Sequence, residues 1–448
     1  MTVYRAERAC RSCGSEDLAS ILAFGDMPLA DRLLTADELA APDLTVPLTL
    51  VFCPGCSLVQ IAETVRPEVL FGGDYPYFSS VSDTLLAHSR AHAEELIERL
   101  GLDQRSLVVE IASNDGYMLR NFVAQGIAVL GIDPAEAPAA AAVRAGVRTR
   151  NSFFGHELAR ELAADGLSAD LIIANNVLAH VADLNGLVAG IATLLKPDGV
   201  AALEMPYLVD LLDNCEFDTI YHQHLCYFSL TALDRLFRRH GLSINDLRRL
   251  DIHGGSLRLY VAHRENVQPA VHDLLAAECA AGLDRLDPYL RFAERVRSLR
   301  QGLCRMVHGL KDDGQRLAAY GAAAKGTTLL SYCGFGREVI DYVVDRNAFK
   351  QGRYMPGSKL PILAPEMLLE DRPDCTLLLP WNFAEEILEQ QADYIAQGGR
   401  FLIPIPEPRA VDRREAIHGG PASRPSGVPP DDRTCLPLPR LPFLRGTG

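Results

Sequence analysis

At 448 residues, 48% hydrophobic and 23% charged, the chain has the composition of an ordinary globular protein and the length of two or three domains, each able to bury its own core. A net charge of -14 argues against nucleic acid or an anionic membrane surface as the main partner, and no apolar run reaches the roughly 18 residues of a membrane span. Residues 1–8 lead into no signal-peptide core, so the expected location is the cytoplasm, where clustered cysteines are metal ligands and scattered ones packing groups.

In chain order, the first cluster is Cys10-x-x-Cys13, answered by Cys53-x-x-Cys56. Two such knuckles let four thiolates converge as a tetrahedron on one zinc ion, which leaves no open coordination position and is therefore structural; buried or redox-active thiols are the alternative. Residues 48–52 read as a strand running into the second knuckle, as in a zinc ribbon. The spacing between the knuckles exceeds that of a ribbon, so the intervening segment is expected to fold back as its own loop. The zinc-binding domain is placed at residues 1–70. An aromatic and hydroxyl-rich loop follows, with Tyr75, Tyr77 and Ser79, and it feeds a helix running toward Leu100. Simple helix capping by Ser80 or Ser82 accounts for its hydroxyls equally well.

The strongest organisation lies in residues 71–265. Short apolar strands at 106–112, 128–133, near 147, at 170–174 and at 200–204 alternate with helical stretches, which predicts an α/β fold with a doubly wound parallel sheet and a ligand site beyond the carboxyl ends of the strands. The first turn supplies Glu110, Ala112, Ser113, Asn114, Asp115 and Gly116. A dinucleotide requires G-x-G-x-x-G there, so that backbone can approach a pyrophosphate. This turn has one glycine and is acidic, which repels pyrophosphate but suits the cationic sulfonium and ammonium of S-adenosylmethionine. Asp133 is placed for ribose hydroxyls, and Asn175, Asn176 and His180 lie along the rest of the pocket, although His180 serves as well for capping the next helix.

The stretch Tyr221-His222-Gln223-His224-Leu225-Cys226-Tyr227-Phe228-Ser229 packs proton-handling side chains between a strand and an amphipathic helix over residues 229–240. Taken alone it also fits a polar loop plugging a domain interface. Ser256 lies in a Gly-Gly-Ser turn that either only turns the chain or presents donors to a substrate. Residues 266–313 read as a helical connector, and 314–408 as a second, smaller Rossmann-like α/β domain. There, the Gly321–Thr328 loop with Lys325 is the place suited to phosphate groups. Residues 409–448, rich in proline, arginine and glycine, are expected to be a disordered tail.

The four cysteines, E-I-A-S-N-D-G-Y, Y-H-Q-H-L-C-Y-F-S, H-G-G-S-L-R, Y-G-A-A-A-K-G and W-N-F-A-E-E-I leading to I-P-I-P-E-P occur in that order. Together, over about residues 8–408, they resemble the nucleotide-sugar C-methyltransferases that act on dTDP-linked 4-keto deoxysugars of antibiotic pathways. The resemblance implies a zinc-binding domain, a central S-adenosylmethionine-dependent methyltransferase domain, and a Rossmann-like domain that helps hold the nucleotide sugar. It implies His224 as general base, with tyrosines around the sugar and the aromatic-loop match at Tyr75 or, in another register, Tyr77. Beside His224 the expected catalytic groups are Tyr221, His222 or Tyr75 as donors to a developing oxyanion, and Gln223; the expected substrate contacts are Tyr77, Ser79, Ser256 and Lys325. Where the family carries an acid, this chain has Gln223, which donates a hydrogen bond but does not accept a proton as a carboxylate does. The chemistry expected is proton removal from sugar C3 next to a C4 ketone, then attack of the carbon on the sulfonium methyl. Methylation of oxygen or of another acidic carbon, and a catalytically impaired binding protein, are the alternatives. The expected assembly is a monomer or weak dimer.

Overall fold

The computed structural model describes residues 3–70 and 78–412, so Tyr75, Tyr77 and residues 413–448 lie outside it. Strands β1 (Tyr4–Ala6), β2 (Ala19–Pro28), β3 (Thr45–Phe52), β4 (Val59–Ile61) and β5 (Glu63–Val65) surround the cysteine knuckles. β2, β3 and β4 pair antiparallel, and β1 pairs with β5. The segment between the knuckles is thus largely the β2–β3 hairpin rather than a free loop. Its cause is alternation: Val46, Leu48, Leu50 and Phe52 fall on one face of β3, and all four are buried.

The central sheet contains β6 (Leu107–Ile111), β7 (Ala128–Asp133), β8 (Thr149–Asn151), β9 (Ala169–Asn175) and β10 (Leu195–Pro206), all parallel. The next strand, β11 (Cys226–Tyr227), leaves this sheet and pairs with β4 of the zinc unit. β12 (Ser243–Leu250) and β13 (Ser256–Ala262) then complete the order β12-β13-β10-β9-β6-β7-β8, with β13 antiparallel to both its neighbours. Val108, Val109, Leu171, Ile172, Ile173, Ala201, Ala202 and Leu203 are fully buried, as continuous apolar runs must be when helices cover both faces of a sheet. The winding reverses between β6 and β9, which opens a crevice at their carboxyl ends.

The expected connector forms helices Pro269–Ala281 and Asp287–Asp312. Both are packed into the rest of the molecule. Glu278, 2% exposed, accepts hydrogen bonds from the Tyr207 hydroxyl (2.7 Å), the Leu230 and Thr231 amides (2.7 Å each) and the Thr231 hydroxyl (2.6 Å). This carboxylate therefore sits on the positive end of helix Leu230–Arg239, whose own cap, Ser229 Oγ, accepts from the Ala232 amide at 3.1 Å. Tyr289 of the second helix packs on Phe52 of β3 with ring centroids 4.8 Å apart.

The C-terminal sheet has the order β16-β15-β14-β17-β18-β19. Its members are β14 (Leu317–Tyr320), β15 (Val343–Val344), β16 (Ile362–Leu363), β17 (Cys375–Leu378), β18 (Arg400–Ile403) and β19 (Arg409–Val411), the last antiparallel and the others parallel. The ordered fold therefore runs past residue 408: Val411 is buried and pairs with Phe401, because an apolar residue at that register closes the sheet edge. Among the described residues, no helix is long and apolar enough to cross a membrane.

Candidate functional site

The turn after β6 is built around a close approach. A Cβ on Gly131 of β7 would lie 2.4 Å from Ser113 Oγ and 3.0 Å from Ser113 Cβ, so only glycine lets the turn fold down on β7. Ala112 and Asn114 adopt φ of 56° and 48°, and Gly116 one of 77°. The strain of the first two is held by the Ala112 amide on Ile132 O (2.7 Å) and the Asn114 amide on Asp133 Oδ2 (2.8 Å). Asp133 Oδ1 takes the Ala135 amide at 2.8 Å. From the other side, the backbone amides of Ser79 and Ser80 donate to Asn114 Oδ1 (2.9 Å) and Asp115 Oδ2 (3.2 Å), so Ser79 belongs to the wall of this turn. Asn176, with φ 57°, donates its amide to Glu204 O across β10.

Four buried polar atoms at these strand ends have no hydrogen-bond partner among the described residues: Glu110 Oε2, Ser113 Oγ, Asp115 Oδ1 and Asn175 Oδ1. Each such atom costs roughly 1–3 kcal/mol unless something else bonds it. Burial, and then the nearby charges of Asp133 and Asp115, push the Glu110 carboxyl well above the usual carboxylate range. Burial raises Asp133 as well. Three acids in one dry crevice favour a cation carrying donors, which is the chemistry of the ammonium, sulfonium and ribose hydroxyls of S-adenosylmethionine.

The histidine-rich stretch divides its roles. His224 Nδ1 lies 2.7 Å from Thr219 O, and Nε2 lies 3.0 Å from the Tyr221 hydroxyl. A carbonyl only accepts, so Nδ1 carries the hydrogen and Nε2 presents its lone pair. His180 Nδ1 reaches Gln223 O at 2.8 Å and its ring meets the His224 ring edge-on at 4.9 Å, so His180 braces this loop. Burial lowers the His180 pKa. His222, expected as an oxyanion donor, is instead turned into the zinc unit. It is 1% exposed, and its Nε2 donates to Val46 O (3.2 Å) and Pro47 O (3.1 Å) of β3. Ser256 likewise spends its hydroxyl on Ile252 O at 3.1 Å. The glycines before it have their own reason: a Cβ on Gly254 or Gly255 would collide with the carboxylates of Glu216 or Asp210.

The loop after β14 holds three units together. In helix Ala324–Cys333 the Thr327 hydroxyl donates to Ala30 O of the zinc unit and the Thr328 hydroxyl to Ile220 O beside Tyr221, both at 3.1 Å. Lys325, expected at phosphate, bonds Asn382 Oδ1 and lies 4.2 Å from the centre of the Trp381 ring. Burial lowers its pKa, while Asp218 and Glu216 oppose that shift. The Trp381 indole donates to Asp218 Oδ2 at 2.8 Å. Gln223, 7% exposed, hydrogen-bonds the Asp31 carboxylate.

Several residues here do not stand out in the sequence: Asp31, Glu216 and Asp218 at the junction, Lys350, which donates to Ala322 O at 2.8 Å, and a network on Glu204. Glu204, near the end of β10, takes Arg258 (2.6 Å), His88 Nε2 (3.0 Å) and His92 Nδ1 (3.0 Å). Burial pushes its carboxyl up, but the bonds from His88 and His92 and the Arg258 charge prevail and hold it well below the usual range. The available signal was Arg258, a lone arginine in the otherwise apolar run S-L-R-L-Y-V.

At the knuckles, the sulfurs of Cys10, Cys13, Cys53 and Cys56 all lie within 4.8 Å of one another, with Cys10 and Cys56 at 3.4 Å and Cys13 and Cys53 at 3.5 Å. Zinc–sulfur bonds of about 2.3 Å give tetrahedral edges of about 3.8 Å, so the four thiols fit one zinc. The knuckles dock on the central domain through Asn185 Nδ2, which donates to Arg11 O (2.9 Å) and Ser12 O (3.0 Å), and through Arg235 to Ser57 Oγ (2.8 Å).

Comparison with known proteins agrees with this architecture. Residues 10–71 match a zinc binding domain family, 85–247 a methyltransferase domain family, and 251–406 the C-methyltransferase C-terminal domain family. The C-methyltransferase NovU of Streptomyces niveus is 39% identical over 411 residues, covering 91% of this chain and 98% of NovU. Among solved structures, magnesium protoporphyrin IX methyltransferase from Synechocystis with bound S-adenosylmethionine is 14% identical over 43% of this chain and 87% of its own, with a TM-score of 0.31. The glycopeptide N-methyltransferase MtfA with sinefungin is 14% identical over 39% of this chain and 94% of its own, with a TM-score of 0.31. Likeness at that level says nothing of substrate. The match to NovU spans nearly all of both proteins, and on it the chain belongs to the S-adenosylmethionine-dependent C-methyltransferases, with a zinc-binding N-terminal domain.

Proposed function

We propose that the protein methylates the carbon next to the keto group, C3, of a dTDP-linked 4-keto deoxysugar, with His224 as general base. The observation that carries this reading is the held imidazole: Nδ1–H on Thr219 O fixes the tautomer, and Nε2 faces the Tyr221 hydroxyl with its lone pair. Carbon methylation differs from oxygen methylation in needing a base for a C–H bond, and the loop supplies one at the rim of the cofactor-binding sheet.

S-adenosylmethionine, when bound, supplies an electrophilic methyl group on a sulfonium. Glu110, Ser113, Asp115, Asn175 and Asp133 would hold it, since their buried polar atoms and negative charge fit its cationic and hydroxyl groups. His224 Nε2 takes the C3 proton, and the electron pair of that C–H bond moves into the C4 carbonyl as an enolate. Tyr221, already directed at this site, donates to the developing negative charge. Lys325 and Lys350, both at the crevice of the C-terminal sheet, support the placement of a nucleotide diphosphate there.

The test is incubation of the protein with S-adenosylmethionine and a panel of dTDP-4-keto sugars, following product mass. A gain of one methyl group on a sugar carbon is expected, as is solvent deuterium entering at C3 without cofactor. Methylation at oxygen, with no such exchange, would replace this reading.

A further inference from the structure

The three units meet at one carboxylate that belongs to none of the motifs described from sequence. Asp31 follows Ala30, whose carbonyl is bonded by the Thr327 hydroxyl of the C-terminal unit at 3.1 Å. Three residues on, Leu34 and Tyr354 exchange both backbone hydrogen bonds at 2.9 Å, so the segment is pinned at each end to the C-terminal unit. The carboxylate itself is reached from the central domain by the Gln223 side-chain amide, and Lys350 of the C-terminal unit faces it. Lys350 is held in turn by Ala322 O at 2.8 Å and Asp345 at 3.8 Å.

Exposure separates the members of this cluster. Gln223 is 7% exposed, whereas Asp31 is open to solvent. The amide is therefore the support and the carboxylate is what an incoming molecule meets. Gln223 is also the chain neighbour of His224, and its own carbonyl is fixed by His180 Nδ1 at 2.8 Å, so the position of the pair is tied to that of the base. A carboxylate so placed has accepting capacity left after one amide bond, because its two oxygens offer about four lone-pair sites. The group that fits it is a hydroxyl donor; a phosphate is repelled, and the neighbouring lysines take that role.

We propose that Asp31 is a substrate-binding and specificity-determining residue, its carboxylate accepting a hydrogen bond from a hydroxyl of the sugar while the Gln223 amide holds it in place. This rests on the sugar-methylating reading above.

The experiment compares wild type, Asp31→Asn, Gln223→Glu and the double exchange Asp31→Asn with Gln223→Glu, using the panel sugar that the wild-type protein methylates. Expected for Asp31→Asn is a loss of about tenfold to a hundredfold in kcat/KM, carried mainly by KM. S-adenosylmethionine affinity and melting temperature should stay at wild-type values. The double exchange moves the charge across the same hydrogen bond and should recover most of the loss. Asp31→Asn turning over within twofold of wild type would overturn the inference, as would a double exchange no better than the single change, since a purely structural contact tolerates an isosteric amide. Failure of the wild-type protein to methylate any panel sugar would instead remove the parent reading, and this inference with it.

Discussion

The Nε2 of His224 lies 3.0 Å from the Tyr221 hydroxyl, with the two rings 4.1 Å apart, while its chain neighbour but one, His222, points its Nε2 into the zinc unit. Two histidines a single residue apart should therefore fail in different ways. His224→Ala should lower kcat by about 10²–10⁴-fold, the contribution of a positioned base, with S-adenosylmethionine affinity unchanged by calorimetry. His222→Ala should lower the melting temperature, because two backbone carbonyls lose their donor, and should leave the folded fraction active. Equal loss of turnover at constant stability in both variants would contradict this division.

Glu216 carries a pH dependence. Burial raises its carboxyl to about 7 from an ordinary value of 4.5. In the folded protein it therefore binds a proton that the unfolded chain releases earlier. Its contribution to stability is full below pH 4.5 and is lost as pH rises through about 7, a change of up to about 3 kcal/mol. Glu216→Gln removes that titration. Melting curves at pH 5 and pH 8 should show a smaller difference in the variant than in wild type, with the variant relatively more stable at pH 8.

Gly131→Ala tests the proposed cofactor turn without removing a polar group. The added methyl would sit 2.4 Å from Ser113 Oγ and 3.0 Å from Ser113 Cβ. The hydroxyl can rotate away, but the Cβ cannot, so the turn must lift from β7. An S-adenosylmethionine dissociation constant raised by about tenfold is expected by calorimetry, with the fold intact by circular dichroism.

Glu278 offers a stability test far from the chemistry. Removing its carboxylate strands the Tyr207 hydroxyl, two backbone amides and the Thr231 hydroxyl in a buried site. Glu278→Ala is expected to cost about 3–5 kcal/mol in urea unfolding, and Glu278→Gln distinctly less because one accepting oxygen remains.

The knuckles should hold a single zinc ion per chain, measured by elemental analysis. Cys53→Ser should lose it and, since structural zinc contributes about 10–16 kcal/mol in small zinc peptides, should melt the N-terminal unit first.

The layout of the molecule is largely legible in the sequence, for physical reasons that can be named. Two C-x-x-C knuckles supply the four thiolates of one tetrahedral metal site, and alternating apolar runs and helical stretches have few other ways to bury their faces. The turn at Glu110–Gly116 is legible because its acids are incompatible with a pyrophosphate. What stays hidden is non-local. That His222 serves β3 and His224 does not is decided by the direction of two side chains a residue apart. Asp31, Asp218 and Lys350 carry no local signature, because their partners lie in other units of the chain. The segment between the knuckles reads as a loop in the sequence since its strands are interrupted by Pro28, Pro47 and Gly25, while the hairpin is stabilised by the core beneath it.

Strand β11 is only two residues long, yet it joins Cys226 and Tyr227 to Gln60 and Val59, which were synthesised 166 and 168 positions earlier (226 minus 60 and 227 minus 59). The loop bearing His224, the proposed base, is in this sense the rim of the zinc unit's sheet, whereas the residues that fit the methyl donor lie at the ends of β6, β7 and β9. A chain made under zinc starvation would then count as competent in a cofactor-binding assay and as silent in a turnover assay. On that proposal, metal content rather than cofactor stoichiometry is the expected measure of how many molecules in a preparation can work.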